Sequence, residues 1–157
     1  MKLYHGSTID IAKIDLALSK PNKDFGRAFY LSDDRQQALE MAQFRAEFEE
    51  TEPVVNVYEF DEALFQEFRY KRFEAYTEEW AHFVYDHRTE PHGRTLHDYD
   101  IVYGPIANDR VGAQIARYKQ GYITFDEFLR RIQYIKGITF QYAFCTQRAI
   151  DKLQKIK

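Results

Sequence analysis

The chain has 157 residues, a formal net charge of −3, a single cysteine and 17% aromatic residues. That length supports one hydrophobic core rather than two, and the mildly acidic balance exerts no general pull on polyanions. The lone Cys145 excludes an intrachain disulfide framework and a cysteine-rich zinc site. With 13 Phe and 12 Tyr, most rings must fill a dense core and a few are left for ligand. No apolar leader and no membrane-length window is present, so a cytoplasmic protein without membrane insertion is expected.

Lys2 to His5 reads as a first strand and Phe25 to Leu31 as a second, with Ser32 placed to cap the helix that follows. From Asp33 to about Phe48, residues Ala38, Leu39, Met41, Ala42, Phe44 and Phe48 recur at helical spacing, with Asp33 and Asp34 in the first turn. Pro53 to Phe60 is a β-branched and aromatic run of strand length, and Asp61 starts a short helix. A helix is expected over Thr77 to Arg88, then a loop from Thr89 to Asp98, then a strand from Tyr99 to Ala107 in which Pro105 marks an edge or a strand end. Asn108-Asp109 opens a helix to about Lys119, and Thr124-x-x-Glu127 is a capping box for another through about Ile135. Ile138 to Cys145 is the last strand, and Thr146 caps a final helix. Short strands and helices mixed without strict alternation predict an α+β fold in one domain, residues 1–157.

Two strand-like runs each deliver a polar aromatic residue, His5 and Tyr30, near a glycine that lets backbone approach a ligand. A tyrosine face can stack on a flat amide-bearing ring, and backbone groups beside a glycine can hold the amide, which is what a nicotinamide requires. Asp24 and Arg27 read as ordinary turn residues, with Arg27 also a candidate contact for a pyrophosphate. Asp100 and Asp109 read as turn formers and caps, and His82 and His87, five apart, share no metal-binding helical face. No metal is assigned. Arg148, Lys152, Lys155 and Lys157 form a small basic face that reads as a solvated helix surface.

Tyr4-His5-Gly6-Ser7 followed by Phe25-Gly26-Arg27-Ala28-Phe29-Tyr30-Leu31-Ser32 resembles the start of the diphtheria-toxin and poly(ADP-ribose) polymerase class of ADP-ribosyltransferases, whose pattern is His, Tyr, Glu. The resemblance implies a split β-sheet core with surrounding helices and NAD as substrate. It gives His5 the adenosine ribose, the Gly6 backbone the nicotinamide amide, Ser7 a helper role and Tyr30 the stacking face. The third element falls on Thr139 to Thr146, where Gln141 stands in place of the family's glutamate. Glutamine keeps a hydrogen bond to the ribose but lacks the charge that favours an oxocarbenium-like sugar. Three readings follow: a slower transferase using Gln141, an acid supplied by Asp126 or Glu127, or a nucleotide-binding module without chemistry.

Trp80-Ala81-x-Phe83-Val84-x-x-x-Arg88, Tyr99 to Asp109 and Gln141 to Thr146 extend the resemblance over nearly the whole chain, to a family of uncharacterised bacterial domains. That likeness implies a toxin–antitoxin or phage-defence setting with a small antitoxin partner. The implied activity is mono-ADP-ribosylation of a macromolecular acceptor, protein or nucleic acid.

Overall fold

The computed structural model describes residues 1–134 and 137–156. Its fold is α+β, with two sheets and helices on both outer sides. In the first sheet β1 (Lys2–Ser7) pairs antiparallel with β3 (Val54–Glu59), and β3 with the two-residue β7 (Gln154–Lys155). The second sheet runs β2 (Phe29–Leu31), β6 (Phe140–Phe144), β5 (Ile101–Pro105), β4 (Tyr70–Arg72), and only the β4–β5 pair is parallel. A single bridge, Tyr4 to Ser32, joins the sheets through reciprocal backbone hydrogen bonds of 2.8 Å.

Because strand side chains alternate between faces, the second sheet serves two different cores. Phe29, Leu31, Tyr142 and Phe144 turn toward the first sheet and meet Leu3, Tyr58 and Phe60. Val102 and Ala143 turn the other way, onto Phe25 and the helices α2 (Glu78–Thr89), α3 (Val111–Lys119) and α4 (Phe125–Arg131). Trp80 is fully buried there, and its indole N–H donates to the Pro105 carbonyl at 2.9 Å. A buried indole with its one donor satisfied adds apolar area without a desolvation cost.

Helix α1 (Arg35–Glu49) covers the outer side of the first sheet, and its packing overturns the expected apolar face. Ala38, Ala42 and Ala46 are the buried residues, whereas Met41, Phe44 and Phe48 are exposed. The reason is Gly6: a Cβ added there would stand 2.1 Å from the Ala38 carbonyl oxygen. Only glycine facing alanine lets strand and helix backbones come so close, and the large side chains are left outside. Asp34 rather than Ser32 caps this helix, accepting from the Gln36 N–H at 2.9 Å. No acidic residue lies in the first helical turn, since Asp33 precedes the cap.

Elsewhere the expected elements stand with shifted ends. The second strand is confined to Phe29–Leu31, because Asp24 to Ala28 form a loop. Thr146 caps its helix as expected, Asp61 and Thr77, expected as the first residues of their helices, stand as N-caps, and the Thr124–Glu127 capping box is complete. Helix α3 starts at Val111, because the Asn108 side chain accepts from the Arg110 N–H and holds a turn ahead of it. Pro105 closes β5 at its end, and β5 is an inner strand. Helix α4 ends at Arg131, and its expected end at Ile135 lies outside the described residues. The terminal helix α5 (Gln147–Ile150) leads into β7. No helix among the described residues is long and apolar enough to cross a membrane.

Candidate functional site

The sheets part immediately after the Tyr4–Ser32 bridge, and the parting follows from backbone direction. In an antiparallel strand a residue's N–H and C=O point the same way, and successive residues alternate. Tyr4 spends both on Ser32, so Gly6, two residues on, points its own pair toward β2 as well. Tyr30 points its pair toward β1 by the same logic. A continued ladder would join Gly6 to Tyr30. Instead the His5 ring takes the place of that rung, its Nδ1 lying 2.6 Å from the Tyr30 carbonyl oxygen. By this alternation the Gly6 N–H and C=O point away from β3, and no bond to β2 meets them among the described residues, although Gly6 is itself buried.

His5 is held on its other side by Phe29, with ring centroids 4.2 Å apart. Burial drives its pKa down to about 4, helped by the charges of Arg45 and Lys155 and opposed by the bond to Tyr30. The ring is therefore neutral at physiological pH. A carbonyl can only accept, so Nδ1 carries the proton and Nε2 is left as an acceptor. An acceptor at this edge suits a sugar hydroxyl.

The Tyr30 side chain lies on the opposite face of its sheet, toward the helices. Its hydroxyl donates to the Gly26 carbonyl at 2.7 Å and accepts from the Phe25 N–H at 3.0 Å. Burial and the nearby Asp24 carboxylate push its pKa well above the usual phenol range, so it remains a donor. Gln141 shares this face, since Ala143, two residues on, pairs with Tyr30. The Gln141 amide nitrogen lies 3.3 Å from the Asp24 carboxylate. Asp24 is buried, and its other oxygen is held by Arg88 at 2.6 and 2.7 Å. The structure thus brings Tyr30, Gln141, Asp24 and Arg88 into one cluster, and His5, on β1, meets it at the Tyr30 backbone.

The remaining expected site residues have local duties. The Ser7 hydroxyl accepts from the Ile9 N–H at 3.4 Å and shapes the turn after β1. Arg27 donates to the carbonyls of Ala17 and Ser19, holding the loop before β2. Asp126 and Glu127 stand in the first turn of α4, and the Glu127 carboxylate is bonded back to Thr124. Asp100 is spent on the Arg69 N–H, Thr146 and Arg148, and Asp109 is exposed. Of the basic C-terminal residues, Arg148 is bound to Asp100 and Lys155 to Asp10, and Lys157 lies outside the described residues. A depression of about 700 Å³ lined by Met1, Glu59, Asp61, Glu62, Asp151 and Lys152 shares no residue with the His5–Gln141 region.

A family model described as "Protein of unknown function (DUF3990)" matches residues 1–155. The chain belongs to the DUF3990 family. Comparison with curated proteins and with solved structures gives no match. In this DUF3990 chain the residues that sequence reasoning undervalued are Asp24 and Arg88. Asp24 reads as an ordinary turn residue, and Arg88 as the end of a helix 64 positions away. The available signal was that an aspartate next to Phe25, in a run ending in a buried strand, needs a cation if it is to be buried.

Proposed function

We propose that this DUF3990 chain is a mono-ADP-ribosyltransferase with an ADP-ribosyltransferase-like core, binding NAD at the gap between β1 and β2. The observation that carries the reading is the Gly6 N–H and C=O, which lie outside the β1–β3 ladder beside the His5 wedge. A carboxamide presents one donor face and one acceptor face, and a strand edge with both groups free matches it. The neutral His5 Nε2 accepts from a ribose hydroxyl. Tyr30, its ring fixed through the hydroxyl before any ligand arrives, provides the stacking face.

In the reaction, the bond between the nicotinamide nitrogen and the ribose C1′ breaks, and its electron pair neutralises the pyridinium. A nucleophile on the macromolecular acceptor then bonds to C1′ and releases its proton to solvent. Gln141 accepts from a ribose hydroxyl and steadies the sugar. The protein's contribution is position and preorganised hydrogen bonding. The resemblance that suggests this activity also suggests a cytoplasmic toxin held by a small antitoxin protein.

One observation favours a second reading, an NAD-binding module with little turnover. Gln141 brings no charge, and the nearby Asp24 carboxylate is neutralised by Arg88. Isotope-labelled NAD, incubated with the purified chain and a cell lysate, tests the choice. Label on protein or nucleic acid, lost in His5→Ala and Gln141→Ala, supports transfer. Calorimetric binding of NAD without nicotinamide release supports the module, and no binding at millimolar NAD overturns both.

A further inference from the structure

We infer that Asp24 is a positioning residue that turns the Gln141 amide so that its oxygen, not its nitrogen, faces the ligand, and so makes glutamine rather than glutamate the residue suited to this strand. The inference rests on the NAD-binding reading for its functional consequence, but its geometry stands on contacts within the chain. A carboxylate only accepts hydrogen bonds. The Asp24 oxygen 3.3 Å from Gln141 therefore fixes Nε2 as the inward atom. The same oxygen receives the Ala107 N–H at 3.4 Å, and the other is occupied by Arg88. Asp24 cannot rotate away without losing its cation.

Gln141 Oε1 has no protein partner among the described residues, and the residue is only half-buried. It is left as an acceptor for a ribose hydroxyl. A glutamate in this place would set a second carboxylate against Asp24, and two carboxylates at that spacing do not both ionise. The loop that carries Asp24 also fixes the tyrosine, because Phe25 and Gly26 bond the Tyr30 hydroxyl. One short loop therefore orients the stacking ring and the ribose acceptor together, and Arg88 clamps it from α2.

The test compares wild type, Gln141→Glu, Asp24→Asn and the double variant Asp24→Asn/Gln141→Glu. The first readout needs no ligand: carboxyl NMR titration of the side chain introduced by Gln141→Glu. Its pKa is expected well above the ordinary glutamate range, and back within it in the double variant, where Arg88 becomes its counter-ion. The second readout is NAD affinity by calorimetry. Gln141→Glu alone is expected to weaken binding by about tenfold, and Asp24→Asn to restore most of that loss when combined with it. A merely structural Asp24 gives two independent losses and no rescue.

An unperturbed introduced carboxyl, or additive losses in the double variant, overturns the inference. If Asp24→Asn does not fold, the titration of Gln141→Glu in the otherwise native chain decides. A raised carboxyl pKa with no NAD binding in wild type keeps the geometry and sinks the NAD reading instead.

Discussion

The two faces of the β2–β6–β5–β4 sheet are built from the same strands and differ sharply in what they bury. The face toward the first sheet is lined by Phe29, Tyr142, Phe144 and Ile101 against Leu3, Tyr58 and Phe60, an interior mainly of rings and aliphatic chains with His5 and the buried Asn56 at one end. The face toward the helices holds Phe25, Trp80 and Phe128, and beside them the buried Asp24, His87 and Gln114. Buried polar groups cost free energy unless each is paired. The first face therefore holds the sheets together, and the second is where the chain maintains a polar network beside Tyr30 and Gln141.

The largest effect is expected on the outer side of the first sheet. Gly6→Ala drives a methyl group into the Ala38 carbonyl, so β1 and α1 must separate. A loss of more than about 3 kcal/mol is expected in denaturant unfolding. Native-like stability in this variant would show that the close approach is dispensable. On the helical face, Arg88→Met leaves the buried Asp24 without its cation, and a loss of about 3 kcal/mol is expected. If that loss shrinks when Asp24→Asn is combined with Arg88→Met, the ion pair is its cause.

The pH dependence sharpens the contrast between the faces. His5 has a folded pKa of about 4, below the value near 6.5 of the unfolded chain. Its contribution to stability is fully present above about pH 6.5 and is lost as pH falls toward 4. His87 and His97, lowered mainly by burial, act in the same direction. Protonation would also cost each an acceptor nitrogen: His87 Nε2 receives the Leu96 N–H and His97 Nδ1 the Tyr99 N–H. Thermal unfolding across pH 4 to 7 should show a slope that His5→Gln reduces but does not abolish. A slope unchanged by His5→Gln would place the whole effect on the helical face.

Smaller effects are expected where the network is incomplete or absent. Gln114 Oε1 is the one buried side-chain oxygen or nitrogen without a partner among the described residues. Gln114→Met is expected to be neutral or to stabilise by up to about 1 kcal/mol; a clear loss would mean the amide has a polar duty. Phe44→Ser and Phe48→Ser change residues 71% and 87% exposed, and stability should move by less than about 0.5 kcal/mol.

Much of the fold was legible because its signals are local. The caps at Thr124 and Thr146 need only a side-chain oxygen and the next turn of backbone. The β4 strand at Tyr70–Arg72 and the two-residue β7 were missed, since runs that short carry no periodicity and exist because a neighbouring strand pairs with them. The face of α1 was misread because spacing marks which residues share a side, not which side is covered. Gly6 decided that, from another element.

For the candidate site, the sequence by itself determined which residue types stand on which strands: His5 and Gly6 on the first, Tyr30 on the second, Gln141 near the end. The pairing of Tyr30 with Ala143, combined with strand period, puts Tyr30 and Gln141 on one face. Only the tertiary structure decided that the His5 ring replaces a rung between β1 and β2, and that Asp24 and Arg88 meet beneath Gln141. Both depend on contacts between segments far apart in the chain, where distance and desolvation set the outcome and local propensity has no say.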